Sequence, residues 1–410
     1  MRTNPLRSLR HAALALAVLI GLGAGAQAQV VYTTAVPFLQ IEPDSRAAGM
    51  GNAGVALADN ASAIFWNPAG LASQRGAELS LTHAQWLPQL TSDLFYEYLV
   101  GKYHVDGIGT FGGHLTFLNL GEQEYRGPNN EDLGTFRSYE LAVGGSYARN
   151  VTEKLALGGG ARFIYSNLSG GVEIPGTGGA GTETKAGVSV GLDLGALYTV
   201  GTFDAGGVAL TPKLAFNLAN MGPKIGYTVG DCNEDTGESC GDPIPTNLRF
   251  GGALGAQLDE FNRLNFALDF NKVLVDYEEF TFEEVDQTTG EKVTRTGQRA
   301  KPFAEALFSS WGPVEVCSLD DEEDGSCEDV GLLRQITIGT GLEYWYNDLF
   351  AFRTGYFYED PYNGNRQFLT FGAGIRYNLI GVDFSYIYPL EENSPLANTI
   401  RFSLLLNVLR

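Results

Sequence analysis

The 410-residue chain carries 27 Lys and Arg against 48 Asp and Glu, a formal net charge of −21. That balance excludes nucleic acid as a partner, because phosphate binding needs a basic footprint. It fits a surface facing outward or a saline habitat.

Residues 1–28 have the three parts of a secretory signal: Arg2, Arg7 and Arg10 in front, an apolar run from His11 to Gly25, and the small-residue site Ala26-Gln27-Ala28. The run is too short for a membrane anchor, which needs about 20 apolar residues. No Cys follows it, so lipoprotein processing is not expected. Cleavage after Ala28 would leave 24 basic against 48 acidic residues, a charge of −24. No later segment is long and apolar enough for a spanning helix. The mature chain therefore either floats free beyond the inner membrane or spans an outer membrane as a barrel.

Residues 29–77 form an N-terminal extension. Its stretch 41–70 is rich in Gly and Ala and ends in Trp66-Asn67-Pro68-Ala69. Small residues at this density let backbone pack against backbone, as a segment threaded into a confined space requires.

From residue 78 to 410 the apolar residues alternate with period 2. Leu264, Phe266, Leu268 and Phe270 point one way, and Asn265, Ala267, Asp269 and Asn271 the other. Val382, Phe384, Tyr386 and Tyr388 repeat the pattern, as do Ile400, Phe402, Leu404 and Leu406. The periodicity predicts 14 strands, near 78–87, 93–103, 107–120, 136–149, 154–168, 185–200, 207–220, 246–258, 262–276, 332–346, 349–360, 366–377, 380–390 and 397–408. These are long for soluble strands, whose mode is about 5–6 residues, and suit tilted membrane strands of about 9–11. Tyr96, Tyr98, Tyr103, Tyr344, Tyr346, Tyr356 and Tyr358 cluster near strand ends, as in aromatic girdles. Short connections alternate with long ones at 121–135, 169–184, 221–245 and 277–331. Barrels of the bacterial outer membrane keep short turns in the periplasm and long loops outside. The fold expected is all-β: a 14-stranded antiparallel transmembrane β-barrel with both termini on the periplasmic side.

Two long connections hold the four Cys. Cys232 with Cys240 and Cys317 with Cys327 each enclose a short acidic stretch, and local disulfides are the expected pairing among the three possible. Asp231-Cys-Asn233-Glu-Asp235 resembles the start of a calcium loop but lacks Gly at the sixth position and Glu at the twelfth, so it reads as a solvated tip, as does the run Asp320 to Asp324. Neither metal nor cofactor is expected. After Pro302, residues 303–311 are a short helix candidate. Its apolar residues Phe303, Leu307, Phe308 and Trp311 cap the barrel's own mouth, touch outer-membrane lipid or meet a partner.

Enzyme parts are missing. No GxSxG, HExxH or phosphate-binding loop appears, and no nucleophile is marked beside His83, His104 or His114. Gly158-Gly159-Gly160 reads as strand interior.

Phe38-Leu39, Pro43-Asp44-Ser45-Arg46-Ala47, Gly49-Met50-Gly51-Asn52-Ala53-Gly54-Val55-Ala56 and Trp66-Asn67-Pro68-Ala69 resemble the N-terminal signature of the PorV/PorQ family of FadL-like outer-membrane barrels. The resemblance continues in Gln85-Trp86-Leu87, Ser92-Asp93, Gly364-Asn365-Arg366, Gly372-Ala373-Gly374, Asp383-Phe384-Ser385-Tyr386 and from Asn393 to Ser403, and is poor in the acidic middle loops. It implies a short Gly-rich hatch inside the lumen, with Asp44, Arg46, Gly49, Gly51, Gly54, Asn67 and Pro68 holding it in place. It also implies work in the type IX secretion system. There such barrels bind the C-terminal domain of exported cargo at the SprA/Sov translocon barrel and carry it to the attachment complex containing PorU. No catalysis is implied. The end, Leu406 to Arg410, departs from the aromatic final residue of many outer-membrane barrels. A FadL-type transporter of hydrophobic small molecules shares this fold, and Pro212 hints weakly at the strand defect that a lateral opening would use.

Overall fold

Alternation along each strand becomes alternation of burial, and the strands close on themselves. The computed structural model describes residues 34–127, 130–169, 171–174, 182–228, 241–285, 292–317, 327–392 and 394–409. Fourteen long strands follow in chain order: β1 (Ala77–Gln85), β2 (Phe95–Val105), β3 (Gly109–Arg126), β4 (Asp132–Asn150), β5 (Leu155–Asn167), β6 (Gly187–Thr199), β7 (Ala209–Met221), β8 (Asn247–Gln257), β9 (Asn262–Val273), β10 (Thr337–Tyr346), β11 (Phe350–Tyr358), β12 (Gln367–Tyr377), β13 (Ile380–Pro389) and β14 (Ile400–Leu409). Each pairs antiparallel with the next, and β14 pairs back onto β1 from Ala77↔Leu409 to Ala84↔Arg401. The sheet is a closed barrel, which leaves no long edge unpaired. A two-residue strand, Phe203–Asp204, adds to the rim of β7.

Outward positions are apolar around the whole ring, with Leu81, Leu99, Leu115, Val143, Phe163, Val190, Leu214, Phe250, Phe266, Phe352, Phe371 and Leu404 all exposed. This is the outer band of a transmembrane barrel. Inward positions carry Gly and polar residues, yet the main hydrophobic core lies inside the ring. Phe38, Met50, Val55, Ile64, Trp66 and Leu71 of the N-terminal segment pack there with Tyr96, Tyr98, Ile164 and Ala267 of the wall. The lumen is thus filled by the chain's own first residues.

Connections at one end are tight, as at 106–108, 151–154 and 378–379, and at the other they are longer. Three expectations need correction. The connection placed at 121–135 is mostly strand, since β3 runs to Arg126 and β4 starts at Asp132, with a bulge between Asn119 and Glu122. The connection at 277–331 is not a plain loop. It holds a hairpin of Tyr277–Val285 with Lys292–Ala300, then a helix, then a second hairpin of Val314–Cys317 with Cys327–Val330. Residues 332–335, expected as strand, form a 3-10 turn before β10.

Candidate functional site

The filled lumen and the long-connection end are the two places where side chains converge. The described chain starts at the long-connection end, where Ala35 N donates to Pro243 O at 3.0 Å, and runs down to β1 at the opposite end beside Leu409. The mature N-terminus expected at residue 29 lies outside the described residues.

Asp44 starts the first turn of helix, α1 (Ser45–Ala48), because a carboxylate there satisfies otherwise orphaned backbone donors. Its Oδ1 accepts from Arg46 N and Ala47 N at 3.1 and 3.0 Å, and its Oδ2 accepts from the Trp66 indole at 2.6 Å. One buried carboxylate therefore ties both ends of the lumen segment together.

Arg46 leaves the same turn and crosses to the wall. Its Nε and Nη2 donate to both oxygens of Glu343 on β10, each at 2.8 Å, and its Nη1 meets Asp59. Glu343 also accepts from Arg353 Nε at 2.7 Å and from Asn265 Nδ2 at 2.9 Å. Arg353 continues to Asp383 at 2.8 Å, and Asp383 to Arg376 at 3.1 Å. Three arginines and three carboxylates thus alternate from lumen segment to wall, so no charge in the chain is left alone.

The Gly block lies on β10, β11 and β12. A Cβ at Gly51 would fall 2.5 Å from Thr340 O and from Tyr356 N and O, and its φ of +64° already disfavours a side chain. A Cβ at Gly54 would meet the Trp66 ring at 2.6 Å, whereas at Gly49 the nearest atom is Gly372 Cα at 3.1 Å. Asp269 Oδ2 accepts from Gly54 N and Val55 N at 2.6 and 2.8 Å. Farther on, Asn67 Nδ2 donates to Ala196 O at 3.0 Å and its Oδ1 accepts from Ala69 N at 3.1 Å. Asn67 and Pro68 sit where Gly195 and Gly158 leave space, since a Cβ at Gly158 would fall 2.5 Å from Pro68 C. Gly158, read from sequence only as strand interior, is a socket. So all seven residues singled out in the lumen segment are buried or closely packed, and their partners Glu343, Asp269, Arg353, Gly158 and Gly195 escape sequence reasoning because nothing local marks them.

Above this segment a cavity of about 740 Å³ opens toward the long-connection end. Phe38, Leu118, Leu120, Phe357, Phe368 and Leu396 form one wall, and Asn247, Arg249, Asn271, Lys272 and Gln335 the other. Pro212 is not among its lining residues and pairs with Leu254 in regular register.

The helix after Pro302, α2 (Phe303–Ser309), is held from below. Ala306 is buried, Phe303 borders a small recess with Ile244, Leu274 and Val275, and Lys301 Nζ donates to Asp276 at 2.6 Å. Gln335 Nε2 donates to Gly312 O at 3.0 Å and fastens the residues after the helix to the 3-10 turn Leu332–Gln335. Leu307 is half-buried, and its carbonyl accepts from the Trp311 indole at 2.8 Å. Phe308 is 84% exposed, Leu333 83% and Trp311 42%. Of the four helix candidates Phe308 is by far the most exposed, Phe303 and Trp311 are partly exposed to a similar degree, and Leu307 is half-buried.

Cys317 stands directly opposite Cys327 in backbone register. Cys232 and Cys240 lie outside the described residues, as do both acidic tips. His83 faces outward beside Glu97, His104 contacts Thr110 at the short-turn end, and His114 is buried against Tyr98. The three are in different surroundings and form no common site. Among the described residues no group of three or more His, Cys, Asp or Glu side chains is placed to hold a metal ion.

No curated protein matches the chain. Among solved structures it is similar to the Pseudomonas putida toluene transporter TodX, at 15% identity and a TM-score of 0.49 over 90% of this chain and 100% of that one. It is also similar to the Ralstonia pickettii toluene transporter TbuX, at 16% identity and a TM-score of 0.47 over 89% and 97%. A family model described as type IX secretion system protein PorV matches residues 24–279. That match takes in 256 of the 410 residues, and the chain belongs to the PorV family of type IX secretion system proteins.

Proposed function

We propose that this outer-membrane barrel of the type IX secretion system binds the C-terminal domain of exported cargo at the SprA/Sov translocon and carries it to the PorU-containing attachment complex. On this reading the long-connection end faces the outside, residues 1–28 are a removed signal, and the barrel catalyses nothing. The observation that carries it is the filled lumen. A segment fastened to β1, β6, β9, β10 and β12 occupies the lumen, which supports holding cargo at an end rather than conducting it. The rigidly seated α2, with Phe308 and Trp311 turned outward, suits such holding. Affinity purification from outer membranes should retain cargo C-terminal domains; a clean barrel that never retains them would sink the proposal.

The loops are proposed to be pinned by Cys232–Cys240 and Cys317–Cys327. Directly opposed antiparallel residues have Cα atoms about 4.5–5.5 Å apart, inside the range of about 4.4–6.8 Å that a disulfide spans. This supports the second pair.

A second reading, transport of hydrophobic small molecules in the manner of FadL, is favoured by the 740 Å³ cavity with its apolar wall. Uptake of a labelled fatty acid into vesicles carrying the barrel would support it.

A further inference from the structure

The outward face of α2 is anchored too firmly to be filler, and the connection that holds it is acidic in sequence. Its underside is fixed by Ala306, by Lys301 to Asp276 and by Gln335 to Gly312, so the exposed residues are presented in one orientation. Phe308 and Leu333 are left 84% and 83% exposed, with Trp311 nearby in sequence. An exposed Phe on a well-fixed turn gains nothing for the barrel itself and loses little entropy when a partner covers it. By sequence, residues 277–331 contain 15 Asp and Glu against four Lys and Arg, and residues 221–245 contain five against one. Glu279, Glu305 and Asp329 are exposed among them.

We infer that α2 and the Leu332–Gln335 turn form a docking face for a protein domain whose contact surface carries excess Lys and Arg around an apolar recess that receives Phe308. The charge selects the occupant. An anionic lipid surface would be repelled by the same loops that attract a basic domain. The inference rests on the cargo-binding reading above and adds the chemistry by which cargo is recognised: apolar anchoring at the centre, with acidic steering around it.

The test uses the full-length barrel in nanodiscs and, as probe, the isolated C-terminal domain of a protein exported by the same cell. The domain is used in native form and with its exposed Lys and Arg reversed to Glu. The expected result is a Kd that weakens about tenfold or more between roughly 50 and 500 mM salt, since exposed charge pairs are screened over that range. Phe308→Ala should weaken binding about tenfold with the barrel's heat-modifiable mobility unchanged. The charge-reversed domain should not bind. A native domain bound with a Kd indifferent both to salt and to Phe308→Ala would overturn this inference and leave the cargo reading standing. A native domain not bound at any salt would overturn both. If Phe308→Ala instead lowered partition of the barrel's outer face onto anionic vesicles, the helix would belong to lipid and the inference would fall.

Discussion

At the scale of single residues, the Gly block and the Arg46 crossing do different work, and substitutions separate them. Gly51 has both a positive φ and backbone atoms where a Cβ would go, so Gly51→Val cannot be accommodated by rotating a side chain. We expect it to cost about 3 kcal/mol or more, read as loss of the heat-stable folded band on electrophoresis. Gly49→Ala should cost least, because its neighbours at 3.1 and 3.2 Å can yield by a few tenths of an ångström. A ranking with Gly49 worst would contradict the packing described. Arg46→Ala leaves the buried Glu343 with Arg353 as its one cationic partner beside the Asn265 amide, and breaking such a buried pair costs about 3–5 kcal/mol. Arg46→Met with Glu343→Gln should cost less than the sum of the two single changes, because neither partner then stays buried and unpaired. Additive urea midpoints would show the two groups to be independent. The Gly positions were legible in the sequence, because dense small residues imply close packing wherever they sit. Glu343 was not, since its partner lies 297 residues away and an inward carboxylate on a strand looks the same whether it faces water or Arg46.

At the scale of elements, the strands and the helix after Pro302 were legible and the outer cap's hairpins on either side of that helix were not. Period-2 alternation in segments such as Leu264 to Asn271 is imposed by a wall with two different faces, so all 14 strands can be placed from it. The hairpin Tyr277–Val285 with Lys292–Ala300 has no such wall behind it, and its Glu-rich sequence resembles loop. Its root is the Asp276–Lys301 pair, at 2.6 Å. Burial opposes ionisation of Asp276, but its hydrogen bond with Lys301 prevails and holds the carboxyl below its ordinary 3.8. The same hydrogen bond raises the Lys301 ammonium above its ordinary 10.5. A depressed acid contributes stability above its unfolded value and loses it as pH falls through the folded one. A raised base contributes below its unfolded value and loses it as pH rises through the folded one. The cap should therefore be evenly anchored between 3.8 and 10.5 and loosen outside that window. Hydrogen exchange of residues 303–309, compared at pH values inside and below the window, checks this. Lys301→Met should raise exchange at neutral pH and remove the acid-side change, and an unaltered profile would show that the pair does not anchor the cap.

At the scale of the whole molecule, the barrel and its N-terminal segment are one folding unit, because the wall alone would enclose no dry core. Ala48, Ala56, Ala61, Ala63, Ala69 and Leu71 are wholly buried inside the ring, and inward Gly251 and Gly158 leave the room that Ala56 and Ala69 occupy against the wall. The segment is anchored on several sides at once: Arg46 to Glu343 on β10, Gly54 and Val55 to Asp269 on β9, Ala61 to Glu78 on β1 at 3.0 Å, and Asn67 to Ala196 on β6. Independent anchors on separate walls mean that losing one leaves the others to keep the lumen closed. In planar bilayers the native barrel should therefore show no steady conductance, and Arg46→Ala alone should give at most brief openings. Combining Arg46→Ala with Asp269→Ala frees the stretch between α1 and Val55 from both β9 and β10, and openings should become frequent and long while Asn67 still holds the far end. Two outcomes would contradict this account: a native barrel that conducts steadily, or a double variant as silent as the native one. The first would mean the lumen is not filled, and the second that the Gly-on-Gly packing, rather than the charged crossings, keeps the segment in place.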